Sequence, residues 1–165
     1  MIAELRTRLG SELDRLSHEL TARMPMDLGS GREEAGNDAS VELQRVIQRR
    51  IRLLGQLVAG LASVDPSTIW PDRAGYGSVV RVRDVATGEE ESYTLMAGDF
   101  IDLDEGQVSL ESPIGYALLG HRTGEQVTVV TPRVERRYEI TGLVTLPQKM
   151  GLVGGGEEAV ALQVA

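Results

Sequence analysis

Two apolar seams at helical spacing constrain this chain more than any other feature of its sequence. Ile2, Leu5, Leu9, Leu13, Leu16 and Leu20 follow one another at steps of three and four, the repeat that lays an apolar stripe along one side of a helix. Leu43, Val46, Ile47, Ile51, Leu54, Leu57, Val58 and Leu61 do the same,. The first helix is expected to end near Met24-Pro25, because proline disfavours helical backbone in the residue before it. Asn37 or Asp38 is suited to cap the second, and Glu42 puts negative charge in its first turns. Residues 25–37 lie between them, rich in Gly, Ser, Asp and Asn and without a sustained period, so they read as a loop or tip. Matching seams on either side of a tip predict an antiparallel helical hairpin, a coiled coil over residues 1–64. Its second arm is on the order of 40 Å long. A hairpin can satisfy its seam within one chain, so a monomer is sufficient.

The pattern changes after the hairpin. Residues 65–77 contain two Pro and two Gly and read as a linker,. Residues 78–146 are β-rich. Val79, Val80 and Val82 belong to a strand that reaches Asp84. Ala86-Thr87-Gly88 turns the chain and Ser92-Tyr93-Thr94-Leu95 returns it,. Further strands are expected at Val108–Leu110, Gln126–Thr131 and Arg136–Val144. One short helix interrupts them: Ser112 is a good N-cap, Pro113 suits the first helical position, and Gly120 suits a left-handed cap. Ile114, Leu118 and Leu119 can bury one face of it. Residues 147–165 hold Gly154-Gly155-Gly156 and Glu157-Glu158 and read as a flexible acidic tail, with the loss of pattern starting at Thr145,. The expected fold class is α+β, a helical hairpin followed by an antiparallel sheet with one short helix.

Composition narrows the function. There is no cysteine, which excludes disulfides and thiolate metal sites. No apolar run approaches the roughly 20 residues that span a bilayer, and the N-terminus lacks the uninterrupted apolar core of a secretory signal. The expected location is therefore the cytoplasm, with no membrane partner. The net charge of -8 falls wholly after residue 64. Such a chain repels nucleic acid at long range and is not expected to bind it directly through a basic patch; Arg49, Arg50 and Arg52 cluster on the second helix and read as a solvated face or as a group that neutralises an acidic channel wall,. If it works near DNA or RNA, it is expected to do so by docking on another protein. His18 and His121 read as solvated.

One segment is more specific. Ser112-Pro113-Ile114-Gly115-Tyr116-Ala117-Leu118-Leu119-Gly120, followed by Thr123-Gly124-Glu125-Gln126-Val127, resembles the pattern S-P-[IL]-[AG]-x-A-L-[IL]-G and then G-[DE]-x-V of the Gre transcript-cleavage factors. Tyr76–Val80 resembles that family's first strand, and Gly88–Tyr93 its first turn and second strand. In the hairpin, Leu9–Leu16 resembles the family's L-x-x-E-L-x-x-L. The resemblance implies an FKBP-like sheet domain and RNA polymerase as partner. It also implies a hairpin that enters the polymerase secondary channel, with no enzyme site of the chain's own. The side of the domain carrying Ser112, Pro113, Ile114, Gly115, Leu118 and Gly120 is where the family contacts the polymerase rim.

The tip departs from the family. Cleavage-active members place two carboxylates there to share a Mg²⁺ with the polymerase active site, a task for hard oxygen ligands about a helical turn apart. Asp38 stands at the second acidic position, whereas Ala35 stands at the first, leaving Glu33 or Glu34 as substitutes if the alignment slips. The resemblance thus implies a polymerase-binding regulator that either stimulates cleavage or occludes the channel and inhibits. Two other readings stand beside it. One is a short-hairpin relative of the regulator of nucleoside diphosphate kinase. The other is a peptidyl-prolyl isomerase, which needs an aromatic-lined apolar pocket.

Overall fold

A computed structural model describes residues 1–23, 37–99 and 101–154. The chain divides into two compact units, essentially Ala3–Ala59 and Gly60–Ala165.

The first unit is the hairpin. Helix α1 runs Ile2–Ala22 and α2 runs Asn37–Gly60. Leu5, Leu9 and Leu16 of α1 and Ile47, Leu54 and Leu57 of α2 are buried, as the two seams require. Contacts between the helices fix their sense. Arg50 lies 3.6 Å from Glu12, and Gln44 Nε2 donates to the Arg23 carbonyl at 3.4 Å. Later residues of α1 thus meet earlier residues of α2, as an antiparallel pair demands. Arg15 donates to Glu12 at 2.9 and 2.7 Å, and this bond, chiefly, holds the Glu12 carboxyl below its usual range. Two expected seam positions depart from the pattern: Leu43 and Val46 are exposed. Leu43 precedes Gln44, which is already level with Arg23 at the end of α1, so among the described residues no turn of α1 stands opposite Leu43.

The second unit is a curled five-stranded sheet in the order β3-β2-β1-β5-β4. The strands are β1 Val79–Asp84, β2 Glu90–Met96, β3 Gln107–Ser109, β4 Gln126–Val130 and β5 Glu135–Val144. All pairings are antiparallel except β2 with β3, which is parallel, so the sheet is mixed. The parallel pair exists because residues 97–106 carry the chain back before β3 begins. Within that stretch Asp102 caps a 3₁₀ turn over Leu103–Glu105, and the turn closes on Gly106 at φ 69°. Helix α3, Pro113–Leu118, lies on the core face. Val80, Val82, Leu95, Leu118, Val127, Val129, Tyr138 and Ile140 form the core, with Ile114 and Ala117 packed against it. Asp84 is buried, and its Oδ1 accepts the Ala86 and Thr87 amides at 2.8 and 3.2 Å, closing the β1–β2 turn.

Two segments are better ordered than their composition suggests. Within residues 65–77, Ile69, Ala74 and Tyr76 are buried. The Ala74 amide donates to the His121 carbonyl at 2.8 Å, and the Gly120 amide donates to the Ala74 carbonyl at 2.7 Å. The expected linker is therefore a strap packed on the sheet unit. At the other end, Leu146–Lys149 forms helix α4 with a full capping box at Thr145. Leu146 and Pro147 are buried, so the flexible tail does not begin at Thr145. Residues 155–165 lie outside the described residues.

Candidate functional site

Helix α3 is built by its own residues. The Ser112 hydroxyl donates to the Ser109 carbonyl at 2.6 Å and accepts the Gly115 amide at 3.1 Å, so one oxygen both caps the helix and ties it to the end of β3. Pro113 occupies the first turn, where its missing N–H is not needed,. Gly120 closes the segment at φ 81°.

The six docking residues expected from the sequence divide by burial. Gly115 and Leu118 are buried. A Cβ on Gly115 would stand 1.9 Å from the Ser109 carbonyl oxygen. These two residues hold the helix on its own sheet and offer nothing to a partner. Ile114 packs against the core, and Ser112 and Gly120 are half-buried. Pro113 alone of the six is exposed.

Around Pro113 the structure brings together residues that the sequence did not single out. An open groove of about 630 Å³ runs between α3 and β4, lined by Glu111, Pro113, Tyr116, Ala117, His121 and the strand residues Gln126–Thr128 and Val130. Tyr116 is 76% exposed and Val130 65%, large apolar groups left uncovered beside a groove. The signal for Tyr116 was present in the helical spacing. Ile114 and Leu118 take the inner face, which turns residue 116 outward. The groove has Tyr116 as its one lining aromatic, while Tyr76 and Tyr138 are buried in the core. This groove therefore does not supply the aromatic-lined pocket that an isomerase needs,.

One end of the groove is fixed by an ionic chain. His121 Nδ1 lies 2.8 Å from a Glu125 carboxylate oxygen that also accepts the Arg122 amide at 3.0 Å. The Arg122 amide, and after it His121, keeps the Glu125 carboxyl below its usual range. Arg122 donates through Nε to Asp72 at 3.0 Å and again through its terminal nitrogen, anchoring the strap. This bond is the main reason the Asp72 carboxyl titrates below its usual range. A depressed carboxyl contributes stability above its ordinary pKa and loses it as pH falls through the lowered value. Arg122→Ala should return the Asp72 carboxyl upward to the ordinary range in an NMR titration. An unmoved Asp72 would mean that the pair does not form in solution.

The tip candidates are less fully described. Glu33 and Glu34 lie outside the described residues. Asp38 is in the first turn of α2, and its side chain is likewise outside them. Among the described residues no three His, Cys, Asp or Glu side chains cluster as a metal site, and no helix is long and apolar enough to cross a membrane.

A helical hairpin followed by a curled mixed sheet that seats one serine-capped helix defines the class of chain. The family model described as transcription elongation factor GreA/GreB, C-terminal, matches residues 69–143. Over 147 residues the chain is 33% identical to transcription elongation factor GreA of Nitratidesulfovibrio vulgaris strain DP4, covering 86% of this chain and 90% of that one. It is 37% identical over 141 residues to GreA of Brucella anthropi, covering 85% and 88%. Among solved structures it matches GreA factor homolog 1 of Thermus thermophilus at 25% identity and a TM-score of 0.39, covering 84% and 94%. The chain belongs to the GreA/GreB family of transcription elongation factors.

Proposed function

We propose that this protein is a cytoplasmic regulator of transcript elongation that binds RNA polymerase, docking through the rim of the sheet domain around Pro113 and inserting its hairpin into the secondary channel. The observation that carries this reading is the exposed Pro113 held by the Ser112 cap beside an uncovered groove, in a chain whose sheet unit matches the family. Coverage supports a full-length hairpin rather than a short-hairpin relative, because the chain spans 90% of the Nitratidesulfovibrio GreA. Acidity after residue 64 supports a protein partner over direct contact with nucleic acid,. On this reading the chain has no catalytic site of its own and acts on the polymerase's reaction.

The tip decides the sense of regulation. Any Mg²⁺ would be shared with the polymerase, and Asp38 with Glu33 or Glu34 are the residues that would hold it. Ala35 at the first acidic position favours occupancy of the channel without cleavage. The test is transcript cleavage in backtracked complexes of the cognate polymerase, with an authentic GreA as competitor. Competition without accelerated cleavage is the expected result. Accelerated cleavage that Asp38→Ala abolishes would assign the tip to Mg²⁺ instead. The absence of both competition and cleavage would overturn polymerase binding itself.

A further inference from the structure

Strand β4 is an unprotected edge. It is last in the sheet order, and nothing among the described residues pairs with its outer side. Its backbone polarity can be assigned. The Ile140 amide donates to the Glu125 carbonyl, and the Thr131 amide to the Val134 carbonyl, each at 2.9 Å. Successive residues turn their backbone groups to opposite edges of a strand. Val127 and Val129 therefore pair with β5, and the N–H and C=O groups of Gln126, Thr128 and Val130 point away from the sheet. Natural edges are commonly blunted by charge, proline or a bulge. Gln126-Val127-Thr128-Val129-Val130 has no charge and no proline, and its register with β5 is unbroken. Large apolar groups lie uncovered beside it: Val130 on the strand, Val134 just beyond it, and Tyr116 across the groove. An open edge flanked by exposed apolar side chains marks a surface that another protein covers.

The strand fits a second copy of itself. Antiparallel self-pairing about a two-fold axis at Thr128 sets Thr128 against Thr128 and Gln126 against Val130. Every outward-pointing residue of the strand then faces another, and each facing pair exchanges both of its main-chain bonds. A register shifted along the strand leaves some of them unpaired. The two ends are also complementary in charge. Glu125 precedes the strand and is exposed, and both of its described bonds, from His121 and from the Arg122 amide, use the one oxygen Oε2. Its Oε1 is left for a partner. Arg133 is exposed in the Thr131–Val134 turn that follows the strand. Antiparallel pairing brings the turn carrying Arg133 of each copy beside the Glu125 of the other, within the diagonal reach of a long side chain. Parallel pairing would set like charges together instead.

We propose that two copies of this chain join antiparallel through their β4 edges, forming one continuous sheet with its two-fold axis at Thr128. The axis is perpendicular to the sheet, so both α3 helices lie on the same face and each Tyr116 borders the seam. A strand of 5 residues makes a small interface, and the dimer is accordingly weak and reversible. Pro113 lines the same groove, so a joined edge and a docked polymerase exclude one another. That consequence rests on the function proposed above, whereas the pairing does not.

Sedimentation equilibrium of the full chain tests it without any polymerase. The mass should rise from the 17.9 kDa of one chain toward twice that value as the concentration goes from about 50 μM to about 1 mM. Amide hydrogen exchange by NMR locates the contact: the Gln126, Thr128 and Val130 amides should slow by about threefold over the same range. Thr128→Pro removes an outward N–H that makes no bond to β5, which a sheet edge tolerates. It should hold the mass at that of one chain throughout, with the Val80 and Val82 amides inside the sheet still protected. Val130→Lys, a charge placed on the exposed edge, should raise the dissociation constant at least about tenfold. A wild-type mass of one chain at about 1 mM overturns the proposal. A dimer that forms equally well in both variants overturns it in favour of another surface. Slow exchange at the three amides that does not change with concentration overturns it in favour of a cover from the same molecule.

Discussion

Gly115→Ala is expected to lower the unfolding temperature of the sheet domain by roughly 12–24 °C, the shift that corresponds to about 3 kcal/mol in a domain of this size. The reason is local. A Cβ at this position would stand 1.9 Å from the Ser109 carbonyl oxygen and 2.8 Å from its carbon. Both obstacles are backbone, so no side-chain rotation relieves the clash. The same Ser109 carbonyl accepts the Ser112 hydroxyl and the Ser112 amide. Moving it away to admit a methyl group strains the cap as well, which places the cost at or above the top of the usual range for overpacking. Trp70, the one tryptophan, lies in the strap and reports the transition by fluorescence. A loss below about 0.5 kcal/mol, the level of an ordinary surface change, would mean that α3 does not sit on the end of β3.

That expectation also separates two roles which the sequence runs together. Ser112, Pro113 and Gly115 stand within four residues of one another, and the family pattern marks all three. Sequence position alone cannot tell which of them faces a partner and which the chain uses for its own packing. Burial separates them. Gly115 is a glycine because β3 passes too close for a side chain, and Pro113 stays outside. A polymerase-binding defect in Gly115→Ala would therefore accompany lost stability rather than a lost contact.

Local chemistry was legible in the sequence, and non-local pairing was not. The helices of the hairpin follow from two apolar repeats. The boundaries of α3 follow from Ser112, Pro113 and Gly120, each of which acts within a turn of its own position. The strands were legible as runs, but the parallel pairing of β2 with β3 was not, since it depends on where residues 97–106 return the chain. The strap at residues 65–77 looked like a linker because its two Pro and two Gly shape the path of the chain. Its fixing comes from distant partners instead: the His121 carbonyl, the Gly120 amide and Arg122. The groove was hidden for the same reason. Tyr116 and Val130 lie fourteen positions apart in sequence and meet only when α3 folds back along β4.

The segment after β5 gives the second large effect. Leu146→Ala should cost about 3 kcal/mol in unfolding free energy, within the range for deleting a buried leucine side chain. Leu146 has no exposed surface. It fills the space beside Gly77, where the backbone is left-handed at φ 73° and a Cβ would come within 3.0 Å of the leucine side chain. The helix that presents it is held at both ends. The Thr145 hydroxyl donates to the Pro71 carbonyl at 3.1 Å, and Gln148 Oε1 accepts the Thr145 amide at 2.9 Å. Lys149 Nζ donates to the Gly77 carbonyl at 2.9 Å. A smaller residue at 146 leaves a hole that this bracing keeps from collapsing, and incomplete collapse is what raises the cost of a cavity. Urea unfolding followed by Trp70 fluorescence measures the effect, because the tryptophan precedes the Pro71 to which Thr145 is bonded. A full loss would make the folded domain end with α4. A loss below about 0.5 kcal/mol would restore the simpler reading in which the chain beyond Val144 contributes nothing to the fold.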